Sequence, residues 1–128
     1  MNATDLTGLG VSTTSADALA AYERGLDLFL RWRGGAVEAL DAAAQADPRF
    51  VLAHCAKAFI AWRMGRADLA TAAGRDAAGL AEAVQHERER LHVEAADAMQ
   101  RGDYPAAYER LRGGRDAGGF FPAYRAPA

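Results

Sequence analysis

The segment MGRADLA, residues 64–70, places a glycine five residues before an alanine, between two alanine-rich stretches. The same spacing recurs in RGGAVEA, residues 33–39, and in RGDYPAA, residues 101–107. In each copy the glycine allows the chain to reverse direction, and the alanine allows a second helix to approach the first closely. Three copies in phase predict a helix-turn-helix repeat, whose turn residues are Gly34 with Ala39, Gly65 with Ala70, and Gly102 with Ala107.

The composition favours helices throughout the chain. Hydrophobic residues make up 51% of the 128 residues, but much of this fraction is alanine, which buries little surface per side chain. Such a core depends on close helix packing, and alanine is the strongest helix former. Because a chain of this length is typical of one domain, we expect a single all-α domain.

Apolar spacing predicts six helices in three hairpins. The hairpins are expected at about residues 15–46, 48–84 and 86–112, within a helical domain of residues 14–112. The predicted buried stripe of the first helix consists of Leu19, Tyr22, Leu26, Phe29 and Leu30, and that of the third helix consists of Leu52, Cys55, Phe59 and Trp62.

Capping signals predict where several helices begin. Thr14 and Asp17 have the spacing of a capping box at the first helix. Asp47 is a favoured cap, and Pro48 suits the first position of a third helix because its missing N–H is not needed there. The fourth helix is expected to cover residues 67–84, although two glycines weaken it.

The two ends of the chain differ from the helical domain. Residues 1–13 are polar and glycine-containing, which predicts a flexible arm. Residues 113–128 contain four glycines and two prolines, which predicts a tail that is disordered or belongs to a truncated or frame-shifted product. Alternatively, Phe120, Phe121 and Tyr124 fold back and cover the last hairpin.

The turn glycines lie 31 and 37 residues apart, and their average of 34 resembles the period of the tetratricopeptide repeat (TPR). That repeat also has a small residue within its first helix, and Ala58 and Ala95 fit this place, each seven residues before its glycine. In the first copy the place falls on Asp27, or on Gly25 if the first turn is two residues longer. The resemblance implies a right-handed α-solenoid of about three hairpins.

A narrower resemblance covers about residues 6 to 111. The stretches GVSTTSADALAAYERGL, RGGAVEALDAAAQADPRFVLAHCAKAF and HERERLHVEAADAMQRGDYPAA are similar to the N-terminal region of the tetratricopeptide repeat protein 38 family. Members of that family are several times longer and contain further repeats, and no catalytic residue carries over from them. The resemblance implies an interaction role for this chain.

Charge and apolar patterning exclude several classes of partner. The formal net charge is -2, so nothing predicts the basic face that a nucleic acid needs. No apolar run is long enough for a membrane span, and the N-terminus has no signal-peptide pattern. The one cysteine fits a reducing compartment. We therefore expect a cytoplasmic protein without nucleic-acid or membrane partners.

Few residues suggest catalysis or cofactor binding. Glu89 and His92 have the Glu-x-x-His spacing of di-iron bundles, but the second copy that such a site needs is missing. Cys55 with His54 or His92 as a base is a remote possibility for a thiol enzyme, since a cysteine at an apolar helical position is usually part of the core. We expect no enzyme activity, no metal and no cofactor.

A peptide or partner helix on a concave face is the principal functional hypothesis, because stacked repeats line such a face with their first helices. Lys57 and Asn2 are the only lysine and asparagine, which excludes a lysine- and asparagine-based carboxylate clamp. An arginine beside Trp62 favours an acidic or aromatic segment. The face is predicted to include Arg24, Leu28, Arg31, Cys55, Phe59, Trp62, Arg63, His92, Met99 and Gln100.

The alternative hypothesis is structural. Three degenerate repeats lack the polar terminal helix that solenoids usually need. The chain then self-associates through its uncapped C-terminal hairpin as a homo-oligomer, or it is a truncated piece of a longer solenoid.

Overall fold

The computed structural model describes residues 13, 15–84, 87–103, 105–107 and 109–110. These residues form helices and connecting turns, and no strand occurs among them, so the predicted all-α class is confirmed. The helices are α1 (Ala16–Leu30), α2 (Ala36–Ala46), α3 (Val51–Arg63), α4 (Ala67–Ala78) and α5 (Glu87–Gln100), with a 3-10 helix at Ala81–Ala83. Residues 105–107 and 109–110 are helical as well.

Neighbouring helices pack in chain order. The most extensive contacts join α1 with α2 and α3 with α4, and further contacts join α2 with α3, α4 with α5, and α3 with α5. Each helix pair therefore lies against the next pair. This packing is compatible with a stack of hairpins.

The core combines a few large side chains with many alanines. Tyr22, Phe50, Leu40, Leu52 and Ile60 are among the largest fully buried side chains. The rings of Tyr22 and Phe50 lie 5.0 Å apart at a tilt of 48°. Alanine fills most of the other buried positions, and close helix approach compensates for its small side chain.

The cap of α1 lies one residue later than predicted. The Ser15 hydroxyl accepts a hydrogen bond from the Ala18 backbone N–H at 3.1 Å, while Thr14 lies outside the described residues. Thr13, which the sequence assigns to the flexible arm, is buried, and its hydroxyl donates to Asp47 Oδ2 at 2.5 Å. This bond ties the start of α1 to the end of α2. The rest of the arm and the tail lie outside the described residues.

Two other predicted helix ends are wrong. Asp47 does not cap α3, because its Oδ1 accepts from the Arg49 N–H and its carbonyl accepts from Phe50. These bonds close a separate turn around the proline, so α3 begins only at Val51. The fourth helix stops at Ala78, since Gly79 forms its C-cap and a 3-10 helix follows.

The three turns after α1, α3 and α5 share one hydrogen-bond pattern. After α3, the N–H groups of Gly65 and Arg66 donate to carbonyls of the last helical turn at 3.1 and 2.8 Å. Trp32 and Arg33 do the same after α1, and Gly102 and Asp103 after α5. The equivalent left-handed residues are Trp32, Gly65 and Gly102, with φ of 56°, 76° and 77°.

Gly34 is therefore not the counterpart of Gly65, contrary to the prediction. The first turn is two residues longer, and its own left-handed glycine is Gly35, with φ of 96° just before α2. The alanines are equivalent as predicted: the N–H groups of Ala39, Ala70 and Ala107 each donate, at 2.9 to 3.0 Å, to the carbonyl four residues earlier.

The longer first turn also identifies the small residue of α1. Counting seven residues back from Trp32 gives Gly25, which is buried, whereas Asp27 is exposed. A Cβ added at Gly25 would lie 2.7 Å from Leu40 Cγ and 3.2 Å from the Ala36 carbonyl oxygen. Glycine thus allows α1 and α2 to approach at this point.

Candidate functional site

An open groove lies between the C-terminal ends of α1 and α3. It has a volume of about 310 Å³, and we call it the aromatic groove. The rings of Phe29 and Phe59 meet edge to face inside it, with centroids 6.5 Å apart and planes 70° apart. Its lining residues are Phe29, Leu30, Trp32, Phe59, Trp62 and Arg63.

The large apolar side chains that remain exposed collect at this end of the molecule. Among the described residues these are Leu30, Trp32, Trp62 and Met64, with exposed fractions of 45%, 91%, 42% and 49%. All four belong to the ends of α1 and α3 or to the turns that follow them. Scattered apolar residues are ordinary on a surface, but a cluster of this kind usually marks an interaction site.

Trp32 has an unusual backbone. It is the one non-glycine residue with positive φ in the described part of the chain, a conformation that costs an L-residue about 1 to 2 kcal/mol. The equivalent turns use Gly65 and Gly102, which avoid this cost. Among the described residues, the most exposed aromatic side chain therefore lies at a position whose backbone conformation favours glycine.

Arg63 is the one charged residue among those that line the aromatic groove, and Arg31 and Arg33 flank the lining residue Trp32 in the sequence. Arg31 pairs with Asp27 at 2.9 Å, and this carboxylate raises the pKa of the Arg31 guanidinium. Arg66 lies 3.4 Å from Glu38 across the turn. Arg33 and Arg63 are exposed and form no ion pair within the described residues. Within the part of the chain that the structure describes, these two guanidinium groups are therefore exposed and not neutralised.

The structure distributes the predicted face over separate places. Phe59, Trp62 and Arg63 lie together in the aromatic groove, and Arg31 lies at its edge. Arg24 and Leu28 line a different trough of about 560 Å³ between α1 and α2. Met99 and Gln100 share a third depression of about 190 Å³ with Trp62.

Cys55 and His92 do not lie on an open surface, which corrects their predicted place on the face. Both are buried between α3 and α5, where the remaining gap is only about 10 Å³. The small side chains of Ala58 and Ala95 in this interface allow the two helices to close over them. Burial, together with the nearby charge of Glu89, raises the pKa of the Cys55 thiol, so the thiol is protonated at neutral pH.

The sequence interpretation missed Leu30 and Trp32 as surface residues. It assigned Leu30 to a buried stripe, although this side chain is exposed at the end of α1, whereas Phe29 of the same stripe is partly buried against the core. It passed over Trp32 because the repeats were aligned on the identity of glycine. If the first turn is taken to be two residues longer, the repeats align so that Trp32 occupies the position of Gly65 and Gly102.

The described ranges contain neither a metal-binding cluster nor a helix that could span a membrane. No group of three or more histidine, cysteine, aspartate or glutamate residues there is arranged to hold a metal ion. None of the helices described is both long and apolar enough to cross a bilayer. No family model matches the chain, and comparisons with curated proteins and with solved structures give no match.

Proposed function

We propose that this chain is a non-catalytic protein-interaction module of the TPR type, which binds a peptide or a helix of a cytoplasmic partner in the aromatic groove. The three equivalent turn residues, Trp32, Gly65 and Gly102, lie 33 and 37 residues apart, close to the period of about 34 residues of the TPR, and this supports a TPR-like stack. The first helices of the first two hairpins line the groove, as they line the ligand face of stacked repeats. A relation to the tetratricopeptide repeat protein 38 family is part of the same proposal.

Trp32 is the observation that carries the proposal. Strained backbone persists mainly where the surrounding structure holds it in place, and such residues cluster at functional sites. Tryptophan and arginine are the residues that most often dominate binding energy at interfaces. An almost fully exposed tryptophan at a left-handed position, beside Trp62 and Arg63, fits a binding anchor.

The proposed binding surface is smaller than the face predicted from the sequence. It includes Arg31, Phe59, Trp62 and Arg63 and adds the missed residues of α1 and its turn. Cys55 and His92 are left out because they are buried. The trough beside Arg24 is separate, and the depression beside Gln100 shares only Trp62 with the aromatic groove; neither is part of the proposal.

The test begins with selection of ligands from an unbiased random peptide library on the full chain. Each selected peptide is then titrated against wild type, Trp32→Gly and Trp62→Ala. We expect Trp62→Ala to weaken binding at least about 30-fold, as at other aromatic anchors. Trp32→Gly should also weaken binding although it relieves backbone strain, so the loss cannot be ascribed to unfolding.

Leu80→Ala is the matched control. Leu80 is a partly buried apolar residue just after α4, and it does not line the aromatic groove. Truncation there should leave the affinity unchanged. If no peptide is selected, or if Trp32→Gly and Trp62→Ala both bind like wild type, the proposed function is wrong.

A further inference from the structure

The charge around the aromatic groove specifies the kind of partner more narrowly. The residues that line the groove come from residues 27–35 and 59–66, and these two segments contain four arginines and one aspartate in a chain of net charge -2. One of the arginines, Arg66, pairs with Glu38 of α2. The aspartate is already paired with Arg31. The groove is therefore a local positive region on an acidic protein, with an apolar floor.

Building on the proposed function, we propose that the aromatic groove binds an acidic amphipathic segment of a partner protein, in which bulky apolar residues are flanked by aspartate or glutamate. The apolar residues pack on Phe29, Phe59 and the two tryptophans. The carboxylates pair with Arg33 and Arg63, whose planar guanidinium groups suit bidentate contacts.

The chain's own C-terminal segment is a less suitable occupant. Residues 111–128 carry three arginines and one aspartate, so their charge has the same sign as that of the two segments that line the groove. Phe120, Phe121 and Tyr124 supply apolar groups there, but the flanking charge would oppose docking.

A second copy of the chain is also a less suitable occupant. Its carboxylate-rich helix is α5, where Glu94 pairs with Arg90 at 2.6 Å and with Arg110 at 2.7 Å. Asp97 pairs with Arg101 at 3.1 Å, and Glu87 also pairs with Arg90. These carboxylates are already neutralised by neighbouring arginines, so they offer little to Arg33 and Arg63.

Three synthetic peptides of equal length and without tryptophan test the inference. The first carries leucines at helical spacing flanked by glutamates, the second has every glutamate replaced by lysine, and the third has every leucine replaced by serine. Binding to the full chain is measured by titration calorimetry. The acidic leucine peptide should bind at least about tenfold more tightly than the lysine peptide, and the serine peptide should not bind.

Charge reversal in the protein gives the reciprocal test. Arg63→Glu should remove or invert the preference for the acidic peptide. Arg75→Glu is a matched control, because both arginines lie in the last turn of a helix and form no ion pair within the described residues. Arg75→Glu should keep the preference.

Failure of this inference is distinguishable from failure of the proposed function. If both leucine peptides bind equally to wild type, the groove binds apolar segments without regard to charge, and only the acidic inference is overturned. The same holds if none of the three binds although the random library yields groove-dependent ligands. If the library also yields none, both proposals fail.

Two further results would replace the partner with another occupant and overturn the inference. Serine substitutions at Phe120, Phe121 and Tyr124 that strengthen peptide binding would show that the tail fills the groove. If light scattering shows a dimer and Trp62→Ala dissociates it, the occupant of the aromatic groove is a second copy of the chain. We expect neither effect.

Discussion

The first and second hairpins end their first helices with the same hydrogen bonds but with different residues. Trp32 stands after α1 where Gly65 stands after α3, and Gly25 lies within α1 where Ala58 lies within α3. Gly25 is required by packing, because α2 leaves no room for a side chain there. Trp32 has no such structural reason. A departure from the repeat can therefore reflect packing or function, and local geometry distinguishes the two.

The largest expected effect concerns Gly25, where α1 and α2 pack closely. Gly25→Leu should lower the free energy of unfolding by about 3 kcal/mol, because the new side chain collides with Leu40 and with the Ala36 carbonyl. Chemical denaturation followed by circular dichroism measures this change. Ala20→Leu, on the exposed face of the same helix, should change stability by less than about 0.5 kcal/mol. Equal effects of the two substitutions would contradict the close approach at Gly25.

The second prediction separates the two glycines of the longer first turn. Gly35→Ala should cost about 1 to 2 kcal/mol, since its φ of 96° strains any L-residue. Gly34→Ala should be neutral or slightly stabilising, because a Cβ there meets no atom within 4 Å. Denaturation curves of the two variants measure the two changes in the free energy of unfolding. A greater loss for Gly34→Ala would restore the alignment suggested by the sequence.

The third prediction tests whether Trp32 is kept at a cost to stability. Trp32→Gly should raise the free energy of unfolding by about 1 kcal/mol, because glycine adopts the left-handed conformation without strain. The melting temperature and the denaturation midpoint measure the gain. Gly65→Ala is the reciprocal change at the equivalent turn and should destabilise by a similar amount. A loss of stability in Trp32→Gly would mean that the side chain has a structural role.

The smallest predicted effect concerns the contact between the first and second hairpins. Lys57 Nζ donates to Asp41 Oδ1 at 2.8 Å, and this bond lowers the pKa of the Asp41 carboxyl. A carboxyl whose pKa is lower in the folded state adds stability above its unfolded pKa, near 4. That stability is lost as the pH falls through the folded pKa. Because Asp41 is nearly half exposed, the contribution should be only about 0.5 kcal/mol.

Comparing denaturation at pH 7 and pH 3 tests this contribution. Wild type should lose slightly more stability on acidification than Lys57→Met, which keeps the apolar stem of the side chain. Arg66→Met removes the longer and more exposed contact with Glu38 and should retain the wild-type pH dependence. An identical pH dependence in wild type and Lys57→Met would show that the bond between α2 and α3 contributes nothing.

Much of the fold could be predicted from the sequence, because local signals determine it. Glycine and proline positions indicated the turns, and the alanine spacing indicated which helices pair. Errors arose where tertiary contacts decide the outcome. The extension of the first turn depends on how α2 packs against Gly25, and the burial of Cys55 and His92 depends on how closely α5 approaches α3.

The candidate site was less predictable than the fold. Trp62 and Arg63 were identified because the first helices of stacked repeats line a concave face, although the apolar spacing also assigned Trp62 to the buried stripe of α3. Trp32 was missed because a left-handed tryptophan resembles an ordinary turn residue when the sequence is read alone. The proposed charge preference of the groove also depends on which arginines are paired, and the positions of Asp27 and Glu38 in the fold show which ones are.

Tryptophan fluorescence tests the central claim most directly. The chain contains two tryptophans, and both line the aromatic groove, so its intrinsic emission reports on this site. A ligand selected on the full chain should shift the emission to shorter wavelength and protect the tryptophans from acrylamide quenching. Both changes should saturate at ligand concentrations that match the dissociation constant measured by calorimetry. A ligand that binds by calorimetry but leaves emission and quenching unchanged would contradict the claim that the aromatic groove is the binding site.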